Sequence, residues 1–234
     1  MEKDIFIPYS KNIRSSPPFT AAWVLMGTLI LGSFLIFVGY AFVEPAEIKA
    51  AQSTATTTVT LTVTAEISLT PPSEITMSPD LTASVNSSIG GTSTSPWNVK
   101  TNSVDGYILT LKDDSSPALA TGTQSFADYA TSTTATSTWD VASSTYQFGF
   151  SVFGSDVLTG RWGTGSDCGS GGTPSATLYY SGFYGADNIT VATSTAVTTT
   201  SGTNTTMCVA AGQEGVYAPS GIYTTTITGT ATTN

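Results

Sequence analysis

The chain has 234 residues, of which only 10% are charged, with a formal net charge of −9 and no histidine. Residues 1–50 are neutral, with Lys3, Lys11, Arg14 and Lys49 balancing Glu2, Asp4, Glu44 and Glu47, so the acidity lies beyond them, where Lys100, Lys112 and Arg161 are the basic residues. Three cations on an acidic body cannot neutralise a run of phosphates or hold an anionic lipid surface, which sets nucleic acid aside as a partner.

Residues 21–43 run without a charge. As a helix they would be about 35 Å long, enough to cross a bilayer core with some tilt. Lys3, Lys11 and Arg14 precede them and Glu44 and Glu47 follow, a bias that puts residues 1–20 in the cytoplasm and the remainder outside. The segment reads as a transmembrane anchor or as the core of a signal peptide. Its length favours the anchor. Pro45 and the small residues in the 44–56 linker favour cleavage after Ala50 or Ala51, although Ile48 or Lys49 then stands where a small residue is expected. Either outcome makes the rest of the chain extracellular or cell-surface.

Residues 57–70 alternate strictly: Val59, Leu61, Val63, Ala65, Ile67 and Leu69 on one side, Thr60, Thr62, Thr64, Glu66 and Ser68 on the other. A period of two predicts a strand with one buried and one wet face, ended by Pro71-Pro72. Residues 97–101 and 107–111 are apolar runs around Asp105-Gly106, the turn pair of a hairpin, with Trp97 and Val99 expected opposite Tyr107 and Leu109. Further strands are predicted at 81–85, 145–153, 176–184, 189–197, 207–211 and 222–230. Short strands between Gly, Ser, Asn and Pro clusters predict an all-β domain over 57–234, an antiparallel, Ig-like β-sandwich preceded by one N-terminal apolar helix.

Residues 92–114 and the closing stretch 218–234, with Gly221, Tyr223, Thr226 and Thr228 in a Gly-x-Tyr-x-x-Thr-x-Thr pattern, resemble bacterial secreted β-sandwich surface domains, the WxL-like and the spore-coat-U-like pilus domains. Val99 replaces the leucine of a true WxL triplet. The resemblance implies an envelope location and a binding or structural role.

Cys168 and Cys208 are the cysteines of the chain, and in an exported protein such a pair most simply forms a disulfide. Residues 167–172 (Asp-Cys-Gly-Ser-Gly-Gly) look like a serine nucleophile loop, but without histidine they read as a flexible turn. The aspartates form no Asp-x-Asp-x-Asp-Gly calcium loop, and Asp113-Asp114 reads as a solvated turn; no metal or cofactor is expected. Tyr179, Tyr180, Phe183 and Tyr184 form a dense aromatic group, read either as core or as a face for stacking on sugars or a partner; Trp139 and Trp162 have the same two readings, with core preferred. The expected function is that of a surface structural or adhesive protein acting by binding, without catalysis. Its partners would be the membrane through 21–43 unless cleaved, and an envelope component, a glycan or another copy. The alternatives are a polymerising pilus-like subunit that donates the strand at 57–69 and, as an enzyme, a glycosidase with two carboxylates across a cleft.

Overall fold

A computed structural model describes residues 52–91, 96–129, 137–184 and 187–234. The apolar segment 21–43 and the cleavage candidates Ala50 and Ala51 lie outside the described residues. Among the described residues no helix is long and apolar enough to cross a membrane. The chain divides into two units, Met1–Thr60 and Leu61–Asn234. Of the first, residues 52–60 are described: they are exposed and carry no regular structure.

The second unit is mostly β. Its elements are β1 (Ile67–Thr70), β2 (Ser87–Gly90), β3 (Trp97–Thr101), β4 (Tyr107–Asp113), β5 (Ala127–Asp128), β6 (Thr145–Gly154), the single turn α1 (Thr159–Trp162), β7 (Gly169–Ser170), β8 (Thr173–Pro174), β9 (Ile189–Ser194), β10 (Thr203–Glu214) and β11 (Ile227–Thr233). A six-stranded sheet runs β1-β3-β10-β6-β5, with β2 also paired to β10. It is mixed, because β5 joins β6 in parallel, and it curls into a half-barrel. A three-stranded sheet is ordered β11-β4-β9, and β7 and β8 form a small ribbon.

The two larger sheets share a core. On β4 the alternate residues Tyr107, Leu109 and Leu111 are buried, as a one-sided strand requires. They meet Ile189 and Val191 of β9 and, from the six-stranded sheet, Val99, Phe148, Phe150, Val152 and Val209. Burying side chains of this size stabilises by roughly 1.5–3 kcal/mol each. On β10 every residue from Thr205 to Gln213 is buried. Continuous burial marks a strand covered on both faces: Met207, Val209 and Ala211 face the shared core, whereas Cys208 and Ala210 face a second cluster with Tyr129, Cys168, Leu178 and Tyr180.

Four expectations are corrected. First, the strand expected over 57–70 is confined to Ile67–Thr70. Ile67 and Leu69 pack against the core in the expected phase, yet Val59, Leu61 and Val63 are 89%, 85% and 73% exposed. The cause is the partner: β3 ends at Thr101, and Asn102 closes the ladder with its side chain, accepting from Glu66 N at 2.6 Å and donating to Thr64 O at 2.9 Å. Second, β3 and β4 are not a hairpin. The turn forms, with Gly106 N donating to Ser103 O at 3.1 Å and Gly106 at φ 80°, but it carries the chain from one sheet to the other. The edges of β3 are taken by β1 and β10 and those of β4 by β9 and β11, so Trp97 lies over Gly229 of β11 rather than opposite Tyr107. Third, residues 81–85 make a tight turn bridged between Thr82 and Val85. Fourth, residues 176–184 form no ladder: Leu178, Tyr180 and Ser181 pair with their neighbours through isolated bridges. The strands expected at 145–153, 189–197, 207–211 and 222–230 correspond to β6, β9, β10 and β11, with β10 longer and β11 displaced toward the C-terminus.

Candidate functional site

Cys168 and Cys208 are joined in a disulfide with Cα atoms 5.3 Å apart. Cys208 is fully buried on β10 opposite Ser151 of β6, and Cys168 immediately precedes β7. The bond therefore fastens the β7–β8 ribbon to the outer face of the six-stranded sheet, where Ile89, Trp139 and Phe153 pack around the second cluster. In that ribbon Gly169, Gly171 and Gly172 all have positive φ, and Gly169 N donates to Asp167 Oδ1 at 2.9 Å. The glycine run at 167–172 is thus a tight, disulfide-anchored turn.

Trp139 is seated on this cluster by three kinds of contact. Tyr129 stacks on its ring at 4.5 Å and 24°, and Tyr180 meets it edge-on at 5.4 Å. Beneath it, β6 and β10 each offer a residue without a side chain. A Cβ on Gly149 would stand 3.2 Å from Trp139 Cζ3, and one on Gly212 would stand 3.4 Å from Cζ2. The benzo edge of the indole thus rests on bare backbone, a close approach that glycine permits. Finally, the Tyr129 hydroxyl accepts from Asp140 N at 2.9 Å and donates to Thr138 O at 2.6 Å, fixing the chain on both sides of Trp139.

Half-buried Trp139 lines a cleft of about 780 Å³. Residues 138–143 form one wall and 173–176 another, with Asn86 and Ser87 before and at the start of β2 and Gln213 and Glu214 at the end of β10. Side chains pin the first wall: Ala142 N donates to Gln147 Oε1 at 2.9 Å, and Thr145 Oγ1 donates to Ala142 O at 2.6 Å. Gln213 is buried and spent on structure, donating to Thr82 O at 2.7 Å and accepting from Ala218 N at 3.0 Å. Asn86, Asp140, Ser143 and Glu214 are exposed, and among the described residues no Lys or Arg lines the cleft. The arrangement offers part of one indole, two carboxylates, an amide and hydroxyls.

The aromatic group expected near 179–184 is divided. Tyr180 and Phe183 are fully buried and cannot meet a ligand at the surface; Phe183 stacks on Phe150 at 4.1 Å, and burial pushes the Tyr180 phenol up to about 12. Tyr179 is 37% exposed, and half-buried Tyr184 donates its hydroxyl to Tyr129 O at 3.3 Å. Trp162 is fully buried. Trp139, read from sequence either as core or as a contact face, both packs on the second cluster and reaches the cleft. The available signal was the pair of isolated glycines inside otherwise apolar strands.

Asp113, expected in a solvated turn, is buried and accepts from Ser115 N at 2.8 Å, Ser115 Oγ at 2.7 Å and Thr225 Oγ1, whereas Asp114 is exposed and pairs with Lys112 at 3.0 Å. Asp128 accepts from Ser116 Oγ at 2.8 Å and Ala118 N at 3.1 Å. Its carboxyl is held above the usual range chiefly by burial, with the Asp113 charge adding to the rise. The Tyr107 phenol, buried and donating to Asp156 Oδ2 at 2.9 Å, is raised well beyond the ordinary phenol range. Among the described residues no three His, Cys, Asp or Glu side chains gather where a metal ion could be held.

No family model, curated protein or solved structure matches this chain.

Proposed function

We propose that this chain is an exported cell-surface protein whose Ig-like β-sandwich acts by binding, with the cleft beside Trp139 as its contact site. The observation that carries the reading is the buried Cys168–Cys208 disulfide under that cleft. Disulfides persist in oxidising compartments, and this one anchors a wall of the cleft. The shared core of the six- and three-stranded sheets supports the sandwich. The polar segment 1–20, the apolar segment 21–43 and the Thr-rich composition beyond them support export.

The test is the mass and N-terminal residue of the protein from its own cells, taken with and without reductant. An oxidised chain outside the cytoplasm is the expected result, beginning at Ala51 or Gln52 if cleaved and retaining Met1 in the membrane if anchored. A chain recovered from the cytosol with both thiols free refutes the reading.

One observation favours a second reading, the polymerising subunit. Val59, Leu61 and Val63 continue the apolar phase of Ile67 and Leu69 into solvent, and an extended stretch with one apolar face is suited to completing a neighbour's sheet.

A further inference from the structure

We propose that the Trp139 cleft holds a neutral oligosaccharide, with one pyranose ring lying against the indole; this deepens the binding reading above and rests on it. A sugar ring presents a face of C–H groups bordered by hydroxyls. It therefore suits a site that combines one flat aromatic surface with several hydrogen-bonding groups. Trp139 is held in a fixed position: Tyr129 stacks on one face, the benzo edge rests on Gly149 and Gly212, and the Tyr129 hydroxyl clamps residues 138 and 140, so the face opposite Tyr129 is the one assigned to the sugar. A ring already immobilised loses little rotamer freedom when a ligand arrives.

The polar lining selects among ligands. Asp140 and Glu214 are exposed carboxylates able to accept from hydroxyl groups, and bonds from hydroxyls to carboxylate are short and strong. Asn86, Thr138 and Ser143 add an amide and two hydroxyls that both donate and accept. With no cation in the lining among the described residues, two carboxylates and a chain charge of −9, a phosphorylated, sulfated or uronic-acid ligand is repelled. A cationic ligand satisfies the charges but not the shape: an ammonium is best held where aromatic faces enclose it, and here one ring lines an open cleft of about 780 Å³. That volume lies within the range of small-molecule sites and leaves room beside the indole for further sugar units.

The cleft holds the two acidic groups that a glycosidase requires, so hydrolysis is the reaction to separate from binding. A glycosidase's general acid is a carboxyl shielded from water, whereas Asp140 and Glu214 are both exposed. The proposal is therefore binding without turnover.

The experiment titrates the full chain with neutral gluco-, manno-, galacto- and N-acetylglucosamine oligosaccharides. Oligogalacturonate, inorganic phosphate and an oligolysine peptide serve as controls. Calorimetry and tryptophan emission report binding, and reducing-end release reports hydrolysis. At least one neutral series is expected to bind, with affinity reduced at least tenfold in Trp139→Ala and several-fold in each of Asp140→Asn and Glu214→Gln. The last two substitutions are at exposed positions, so they test the site even if Trp139→Ala loosens the wall. The assignment is overturned if none of the neutral series binds, if a control binds instead, if the three variants bind like the parent, or if sugar is cleaved. A chain found at the cell surface that ignores all four neutral series keeps the export reading and loses this one. A cytosolic chain whose sugar binding depends on Trp139 does the reverse.

Discussion

Replacing both cysteines (Cys168→Ala with Cys208→Ala) tests how the cleft is supported. The bond spans 40 residues of sequence, and closing a loop of that length removes about 4 kcal/mol of conformational freedom from the unfolded chain. Small domains are stable by about 5–15 kcal/mol in total, so the bond supplies a sizeable share. Alanine keeps the second cluster apolar where serine would bury a hydroxyl beside Leu178 and Ala210. The assay is urea unfolding followed by tryptophan emission, comparing the oxidised parent with the double variant. With a urea dependence of about 2 kcal/mol per molar, the midpoint should fall by about 2 M. Reducing the parent should reproduce the shift. A loss below about 1 kcal/mol would refute the reasoning, because it would mean that the 168–208 loop is already constrained in the unfolded chain or that the ribbon holds its place without the bond.

Two further outcomes are expected. Burial, reinforced by the Asp113 charge, makes folded Asp128 hold its proton more tightly than the unfolded chain does. The stability gained from that proton is complete below the ordinary carboxylate value of about 3.9 and is lost as pH rises through the raised folded value. Asp128→Asn, which can still accept from Ala118 N, should flatten the dependence of the urea midpoint on pH in that window; an unaltered slope counts against Asp128 as its source. For the arm, Val59→Asp, Leu61→Asp and Val63→Asp together should change stability by less than about 0.5 kcal/mol, as expected of exposed positions, while abolishing any oligomer seen by light scattering. A loss above about 1 kcal/mol would place the arm inside its own fold and remove the case for donation.

The strands that were legible in the sequence are those whose burial is decided locally. Residues 145–153 and 207–211 are dense in apolar side chains and became β6 and β10, and the cysteine pair announced its bond. Periodicity specifies which face of a strand is apolar, but it does not say whether a neighbour exists. Val59 and Leu69 carry the same pattern, yet only Leu69 lies beside a β3 residue, Val99. Asp105-Gly106 signalled a reversal of the chain, and the change of sheet across it was decided by distant partners, β10 for β3 and β9 with β11 for β4. The cleft was not legible for the same reason. Asn86, Trp139 and Glu214 are far apart in sequence and converge through the pairing of β10 with β2 and β6 and the seating of Trp139 on Gly149 and Gly212. The aromatics at 179–184 drew attention by density, and density is what allowed Tyr180 and Phe183 to be packed inside.

β10 is the common neighbour of β2, β3 and β6, and among the described strands only β11 follows it in the chain. A polypeptide emerging N-terminus first therefore accumulates three strands that have no shared partner until residues 203–214 appear. The keystone arrives late, and its pairings with β2 and β3 join distant parts of the sequence, contacts of the kind that slow folding. Cys168 likewise has no partner until then, because Cys208 lies in β10. The pairing that completes the six-stranded sheet and the bond that fastens the ribbon to it thus depend on one and the same strand.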